Sequence, residues 1–106
     1  MNTTPYTFLN LSAHLPEIPV DGIISCAIYS DEQVKAVLFG FAAGQELSEH
    51  AAATPAIIQI LKGEARLVLG GDVREVGEGA WTYMPAHLSH SLQAKTSLVM
   101  LLLLLK

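Results

Sequence analysis

The stretch Gly44-Gln-Glu-Leu-Ser-Glu-His50, together with the stretch Gly79-Ala-Trp-Thr-Tyr-Met-Pro-Ala-His-Leu-Ser-His90, decides the fold of this chain. Each stretch begins at a glycine and ends at a histidine, and the two histidines lie about forty residues apart. A mostly apolar run from Ala56 to Leu61 separates them and ends at Lys62-Gly63. Glycine breaks around short apolar runs are typical of strands joined by turns. The pattern predicts a small β-barrel that carries both histidines.

Strand signals recur at short intervals on both sides of these stretches, and helical periodicity is scarce. The predicted strands cover residues 23–29, 34–41, 56–61, 64–69, 73–76, 80–84, 91–94 and 98–105. The sequence Gly70-Gly71-Asp72 predicts a hairpin because both glycines can adopt positive φ. One short helix is predicted near Asn10 to Leu15. Seven to nine short strands at this spacing favour an all-β antiparallel sandwich or closed barrel.

Length and composition limit the organisation of the chain and the classes of partner. A chain of 106 residues can bury one core, so we expect a single domain over residues 1–106, with the barrel at about 21–105 and an N-terminal arm at 1–20. Hydrophobic residues make up 51% of the chain and charged residues 15%, which favours a homodimer that covers apolar surface. The net charge is −4 and the basic residues are scattered, so nucleic-acid binding is not expected.

The ends of the chain and its single cysteine favour a cytoplasmic protein that does not bind membranes. Cys26 excludes an internal disulfide, and we expect it to be a small buried hydrophobic residue. The first residues lack the basic and apolar regions of a signal peptide. The apolar run Leu98 to Leu105 is much shorter than the roughly 20 residues that a membrane-spanning helix needs.

Both stretches resemble the paired sequence motifs of the cupin superfamily, of the small cupin 2 or RmlC-like kind. The first family motif is G-x5-H-x-H-x(3,4)-E-x6-G, and the second is G-x5-P-x-G-x2-H-x3-N. The matching positions are Gly44, His50 and Gly63 in the first motif and Gly79, Pro85 and His90 in the second. The stretches ILKGEARLVLGG and MPAHLSH are also similar to family sequences, and the resemblance covers about residues 39–104. It implies a double-stranded β-helix, or jelly-roll, barrel.

The chain departs from the family at several positions, and the departures bear on metal binding. In cupins the two motifs place histidines and a glutamate around a divalent metal, whereas Ala52 and Ala56 occupy two of these ligand positions here. His50 and His90 are the remaining candidate ligands, and imidazole ligands favour Zn, Ni, Fe or Mn as the ion. His87, which replaces the glycine of the second motif, is a third candidate. Alternation along an extended segment would point it away from His90.

The two alanines would also free volume inside the barrel, which favours a pocket for a small molecule. The candidate lining residues are Phe39, Phe41, Ala52, Ala56, Ile58, Ile60, Tyr83 and Met84. The competing interpretation is that these side chains pack the core and that the histidines bond to each other, to water or to the backbone. Glu46 and Glu49 are expected to be solvated.

Three functions remain open at this point. One is a binding protein that holds a small molecule in the barrel beside a reduced metal site. Another is a metal-dependent enzyme, of the dioxygenase or isomerase type, that uses His50 and His90. A third is a dimeric protein-interaction module. Sequence patterns identify no catalytic residue, no substrate and no bound metal.

Overall fold

Nine strands and one short 3-10 helix account for the regular structure in the computed structural model, which describes residues 5–106. The strands are β1 (Ile23–Ser30), β2 (Val34–Phe41), β3 (Glu46–His50), β4 (Ala56–Lys62), β5 (Ala65–Leu69), β6 (Asp72–Val76), β7 (Trp81–Met84), β8 (His90–Ala94) and β9 (Leu98–Leu105). The 3-10 helix, Leu11–His14, begins after Asn10, whose side-chain oxygen accepts from the Ser12 amide. Residues 1–4 lie outside the described part. They belong to the predicted N-terminal arm and to the segment that lacks the features of a signal peptide.

The strands form two antiparallel sheets that face each other. The larger sheet has the order β1-β2-β9-β4-β7, and the smaller sheet has the order β3-β8-β5-β6. Neighbours in both sheets are often distant in sequence; β9, for example, pairs with β2 on one side and β4 on the other. This arrangement confirms the all-β jelly-roll barrel that the sequence predicts.

The inner faces of the two sheets pack together to form the core. Along β4, Ala56, Ile58 and Ile60 are each less than 5% exposed, while the alternate residues are half-buried on the outer face. The remaining members of this core are Phe41, Ala65, Leu67, Met84, Leu92, Ala94, Leu98 and Met100. Burial of each large side chain stabilises the fold by roughly 1.5–3 kcal/mol. The C-terminal leucine run is therefore a central strand of the barrel.

The outer face of the larger sheet carries a second, smaller apolar cluster formed by Ala36, Leu38 and Leu101. The N-terminal segment covers part of this face. A Cβ atom at Gly40 would lie 2.7 Å from Cγ1 of Ile18, so the absence of a side chain there permits the close approach. The N-terminal segment is thus packed on the sheet around β2.

Two features of the outer face differ from what the sequence favours. Cys26 is exposed, not buried, because it lies on the outer face of β1, an edge strand of the larger sheet. At the opposite edge, Trp81 and Tyr83 of β7 are 59% and 50% exposed. Alternation explains the position of Tyr83, since its neighbour Met84 is 1% exposed in the core.

Most strand predictions agree with the structure to within a residue or two, and the hairpin at Gly70-Gly71 is confirmed between β5 and β6. One strand of the structure is absent from the predicted set: β3, which follows Gly44. The predicted helix at residues 10–15 is a single 3-10 turn. Over residues 5–106, none of the helical structure is long and apolar enough to cross a membrane.

Candidate functional site

The two motif histidines meet at one end of the smaller sheet. His50 is the last residue of β3 and His90 is the first residue of β8, and the two are direct partners in the antiparallel ladder. Between the pairs Leu47–Leu92 and His50–His90, β3 contains one more residue than β8. This β-bulge shifts the alternation of β3, so His50 is placed on the same inner side as Leu47.

The imidazole rings of His50 and His90 are in contact and are held in matching ways. Their centroids are 4.3 Å apart and the ring planes are inclined by 58°. Each Nδ1 lies 2.9 Å from the backbone carbonyl oxygen two residues earlier, that of Ser48 for His50 and that of Leu88 for His90. A carbonyl oxygen only accepts, so each Nδ1 must carry the hydrogen, and Nε2 of each neutral ring is left as an acceptor.

The surroundings of the pair are partly apolar and partly open. His50 is exposed and His90 is half-buried, so the pair lies at an opening of the barrel and not in its packed core. On the other side of His90, Leu69 of β5 is its ladder partner, and Leu69 and Leu88 both pack against the core. Neither Nε2 atom has a hydrogen-bond partner among residues 5–106. The pair is therefore available to a ligand.

A contact that sequence analysis missed joins the two residues that precede the histidines. The hydroxyl group of Ser89 donates a hydrogen bond of 2.6 Å to Oε1 of Glu49. Glu49 was expected to be solvated, and it is exposed, but it is also bonded to the other motif. The only sequence feature that points to this contact is the position of Glu49 directly before His50.

The structure places His87 in a turn outside the histidine pair. Its backbone has φ of +69°, the left-handed conformation that glycine adopts most easily, which explains the glycine of the family motif at this position. Its amide donates to the carbonyl oxygen of Ala52 at 2.7 Å, and its side chain is exposed. His87 thus links the two motifs through its backbone. His14, by comparison, is exposed at the end of the 3-10 helix.

The residues present do not fit a metal centre of the usual catalytic kind. Such centres take three protein ligands and leave a position for water or substrate. Within residues 5–106, no group of three His, Cys, Asp or Glu side chains is arranged to hold a metal ion. Two of the family ligand positions carry alanine, and Ala56 is 3% exposed in the apolar core. The donor set therefore amounts to two imidazoles.

The predicted pocket-lining residues separate into three groups. Phe41, Ala56, Ile58, Ile60 and Met84 are packed in the core, with at most 4% exposure. Phe39 is half-buried and its ring stacks on that of Phe41 at a centroid distance of 5.9 Å, and Ala52 is half-buried in the loop between β3 and β4. Tyr83 is on the outer face of the larger sheet, so it does not face the barrel interior.

Two surface clefts do not include the histidine pair in their lining. One, of about 290 Å³, is on the outer face of the smaller sheet and is lined by Glu46, Leu47, Ser48, Glu49, Arg66, Val68, Ser91, Leu92 and Gln93. The other, of about 370 Å³, lies between the N-terminal segment and the β1–β2 hairpin and is lined by Thr7, Leu9, Tyr29, Asp31 and Val34. Neither cleft includes His50 or His90.

Solved structures share this fold over nearly the whole chain. A conserved protein of unknown function from Streptococcus pyogenes is 27% identical with a TM-score of 0.82, and the match covers 100% of this chain and 92% of that one. A cupin superfamily protein from Desulfitobacterium hafniense is 25% identical with a TM-score of 0.83, covering 99% and 95%. A cupin 2 conserved barrel domain protein from Leptotrichia buccalis is 26% identical with a TM-score of 0.81, covering 92% and 47%. No protein-family model and no curated protein sequence matches the chain.

Proposed function

We propose that this chain, which has the cupin fold, is a metal-independent binding protein for a small molecule. The ligand binds at the open end of the barrel, where His50 and His90 supply the polar contacts. One observation carries the proposal: the two rings are in contact and each is oriented by its own Nδ1–carbonyl hydrogen bond. Fixed polar groups at an apolar opening are typical of small-molecule sites.

The orientation of the rings defines the chemical class of the ligand. Each neutral imidazole offers an Nε2 acceptor, so the matching ligand group is a hydroxyl or an N–H donor. The half-buried side chains of Leu69 and Leu88 are the apolar surface next to the pair. The site therefore favours a weakly polar molecule whose donor hydrogens face the two Nε2 atoms and lie beside a short apolar part.

The test is a thermal unfolding screen of small alcohols, amides and phenols in buffer that contains a chelator. A ligand that binds only the folded state stabilises it by RT ln(1 + [L]/Kd), which is about 2.7 kcal/mol at a concentration of 100 Kd. We expect stabilisation of the wild-type chain and its loss in His50→Ala and His90→Ala. His14→Ala is the matched control and should behave like the wild type. If no compound in the panel stabilises the wild-type chain, the proposal is wrong.

Element analysis of chain purified without chelator separates the binding function from a metal-dependent enzyme. Two imidazoles alone should retain less than one ion per chain, and a chelator should leave the midpoint of thermal unfolding unchanged. Stoichiometric metal that disappears in His50→Ala would favour the enzyme.

We also propose that a second copy of the chain covers the outer face of the larger sheet at its β7 edge. The support is the exposure of two large aromatic residues on one short edge strand, Trp81 at 59% and Tyr83 at 50%. Sedimentation equilibrium should show a dimer that Trp81→Ser weakens. Val73→Ser is the matched control, because Val73 is also 59% exposed but lies on the smaller sheet. A monomeric wild-type chain would contradict this proposal.

A further inference from the structure

We infer that Glu49 and Ser89 are positioning residues that hold the imidazole rings of His50 and His90 together. Each of the two lies directly before one histidine of the pair, and the Ser89 hydroxyl donates to Glu49 Oε1 at 2.6 Å. We call this contact the clasp. The inference rests on the proposed function, because it concerns the residues that position the two histidines of the proposed site.

The clasp lies where the backbone ladder between β3 and β8 is irregular. The register of the two strands shifts between Leu47 and His50, and the extra residue of the bulge leaves the regular hydrogen bonding interrupted there. β3 is also an edge strand of the smaller sheet, so among residues 5–106 β8 is its sole neighbour in that sheet. The side-chain hydrogen bond between Ser89 and Glu49 therefore adds to the backbone pairing of His50 with His90 in fixing the end of β3.

The two ends of the clasp differ in how firmly they are anchored. The carbonyl oxygen of Ser89 accepts from the amide of Gly70 at 2.7 Å, which ties Ser89 to the β5–β6 hairpin. Glu49 is exposed on the edge strand next to the bulge. Ser89 is thus the fixed point, and the hydrogen bond pulls the His50 end of β3 towards it. A hydrogen bond to a carboxylate is stronger than one between two neutral groups. The short bond between Ser89 and Glu49 can therefore hold the end of β3 even near solvent.

The experiment measures the distance between the two rings directly and needs no ligand. In NMR spectra of the wild-type chain, carbon-bound protons of the His50 and His90 rings should show a cross-relaxation peak, because the centroids are 4.3 Å apart. Ser89→Ala and Glu49→Ala each remove one partner of the clasp. Ser89→Thr and Glu49→Gln keep a hydroxyl donor and an oxygen acceptor, respectively. Ser91→Ala and Glu46→Gln are controls on the same two strands.

We expect the inter-ring peak to disappear in both alanine variants at positions 49 and 89 and to persist in the two conservative variants and the two controls. Rescue by the conservative variants separates positioning from a general loss of structure, and unchanged amide signals of Leu92 and Ala94 report an intact sheet. If Ser89→Ala does not fold, Glu49→Ala decides the question. A full inter-ring peak in folded Glu49→Ala would overturn the inference.

The NMR experiment and the thermal unfolding screen can fail independently, so failure of the clasp is distinguishable from failure of the proposed function. Loss of the peak without any stabilising compound would support the clasp and contradict the binding function. A stabilising compound with an unchanged peak would support the binding function and contradict the clasp.

Discussion

His50 lies directly opposite His90 across β3 and β8, and each ring is bonded through Nδ1 to the carbonyl oxygen two residues before it. The relationship is symmetric although the two residues come from different motifs. It gives both rings the same tautomer and leaves both Nε2 atoms as acceptors. The site therefore offers two equivalent hydrogen-bond acceptors at the opening of the barrel.

Gly63, the last glycine of the first motif, should be the least replaceable glycine. Its φ is +89°, and a Cβ atom there would collide with the backbone carbonyl oxygen of Ser97. Gly63→Ala should lower the free energy of unfolding by about 3 kcal/mol or more, since backbone strain and overpacking add. Urea unfolding measures the loss. Gly44→Ala is the matched control, because Gly44 has φ of +86° but open space around it, and it should cost about 1–2 kcal/mol. Equal losses of unfolding free energy in the two variants would show that the structure around position 63 shifts enough to relieve the collision.

Replacement of His87 by glycine should stabilise the chain. A left-handed residue with a side chain is strained by about 1–2 kcal/mol, and the greater flexibility of glycine in the unfolded state offsets roughly 0.5–1 kcal/mol of that. We expect His87→Gly to raise the free energy of unfolding by about 0.5–1 kcal/mol and to leave ligand binding unchanged. Ala86→Gly is the control, and it should destabilise because the φ of Ala86 is not positive. Weaker ligand binding by His87→Gly would place its side chain in the site.

Ala52→His should create a third donor beside the histidine pair. Ala52 is half-buried, and it occupies the position where the family motif carries its second histidine. Catalytic zinc sites take three protein ligands, and three imidazoles are one such set. Zn²⁺ should therefore bind at least about tenfold more tightly than to the wild-type chain, a gain of about 1.4 kcal/mol. Competition with a chromophoric chelator measures the affinity. Ala53→His is the control, because Ala53 is the next residue and is exposed, and it should give no such gain. If both variants bind Zn²⁺ equally tightly, a side chain at position 52 does not point towards the histidine pair.

Asp31 should make the stability of the β1–β2 turn dependent on pH. The Tyr29 hydroxyl donates to its carboxylate at 2.7 Å, and the amides of Gln33 and Val34 donate at 2.7 and 2.9 Å. These bonds, with the Tyr29 contact first, hold the pKa of Asp31 below its ordinary value of 3.8. A lowered folded-state pKa gives stability that is present above pH 3.8 and is lost as the pH falls through the folded-state pKa.

The corresponding measurement compares the wild-type chain with Asp31→Asn. The variant should be less stable at neutral pH, and the difference in unfolding free energy should shrink as the pH falls below 3.8. Glu32→Gln is the control, since no side-chain hydrogen bond of Glu32 occurs in the described part of the chain. A difference that is constant with pH would show that the hydrogen-bond geometry, and not ionisation, supplies the stability.

Much of the fold followed from local sequence signals, and the exceptions have physical causes. β3 was missed because it is an exposed edge strand: four of its five residues are exposed and its bulge breaks the alternation. Cys26 was misjudged because burial of a small residue depends on whether its strand lies at an edge. Tyr83 was assigned to the barrel interior because strand parity could not be fixed over four residues.

The sequence by itself determined eight of the nine strands, the glycine turns and the approximate position of the two histidines, because these depend on alternation, chain length and the freedom of glycine over a few residues. Only the tertiary structure decided that a bulge turns His50 to the inner side, that the two rings are in contact, and that Ser89 bonds to Glu49. Those features depend on contacts between segments about forty residues apart. No local pattern encodes such contacts, since they arise only when the two strands pair.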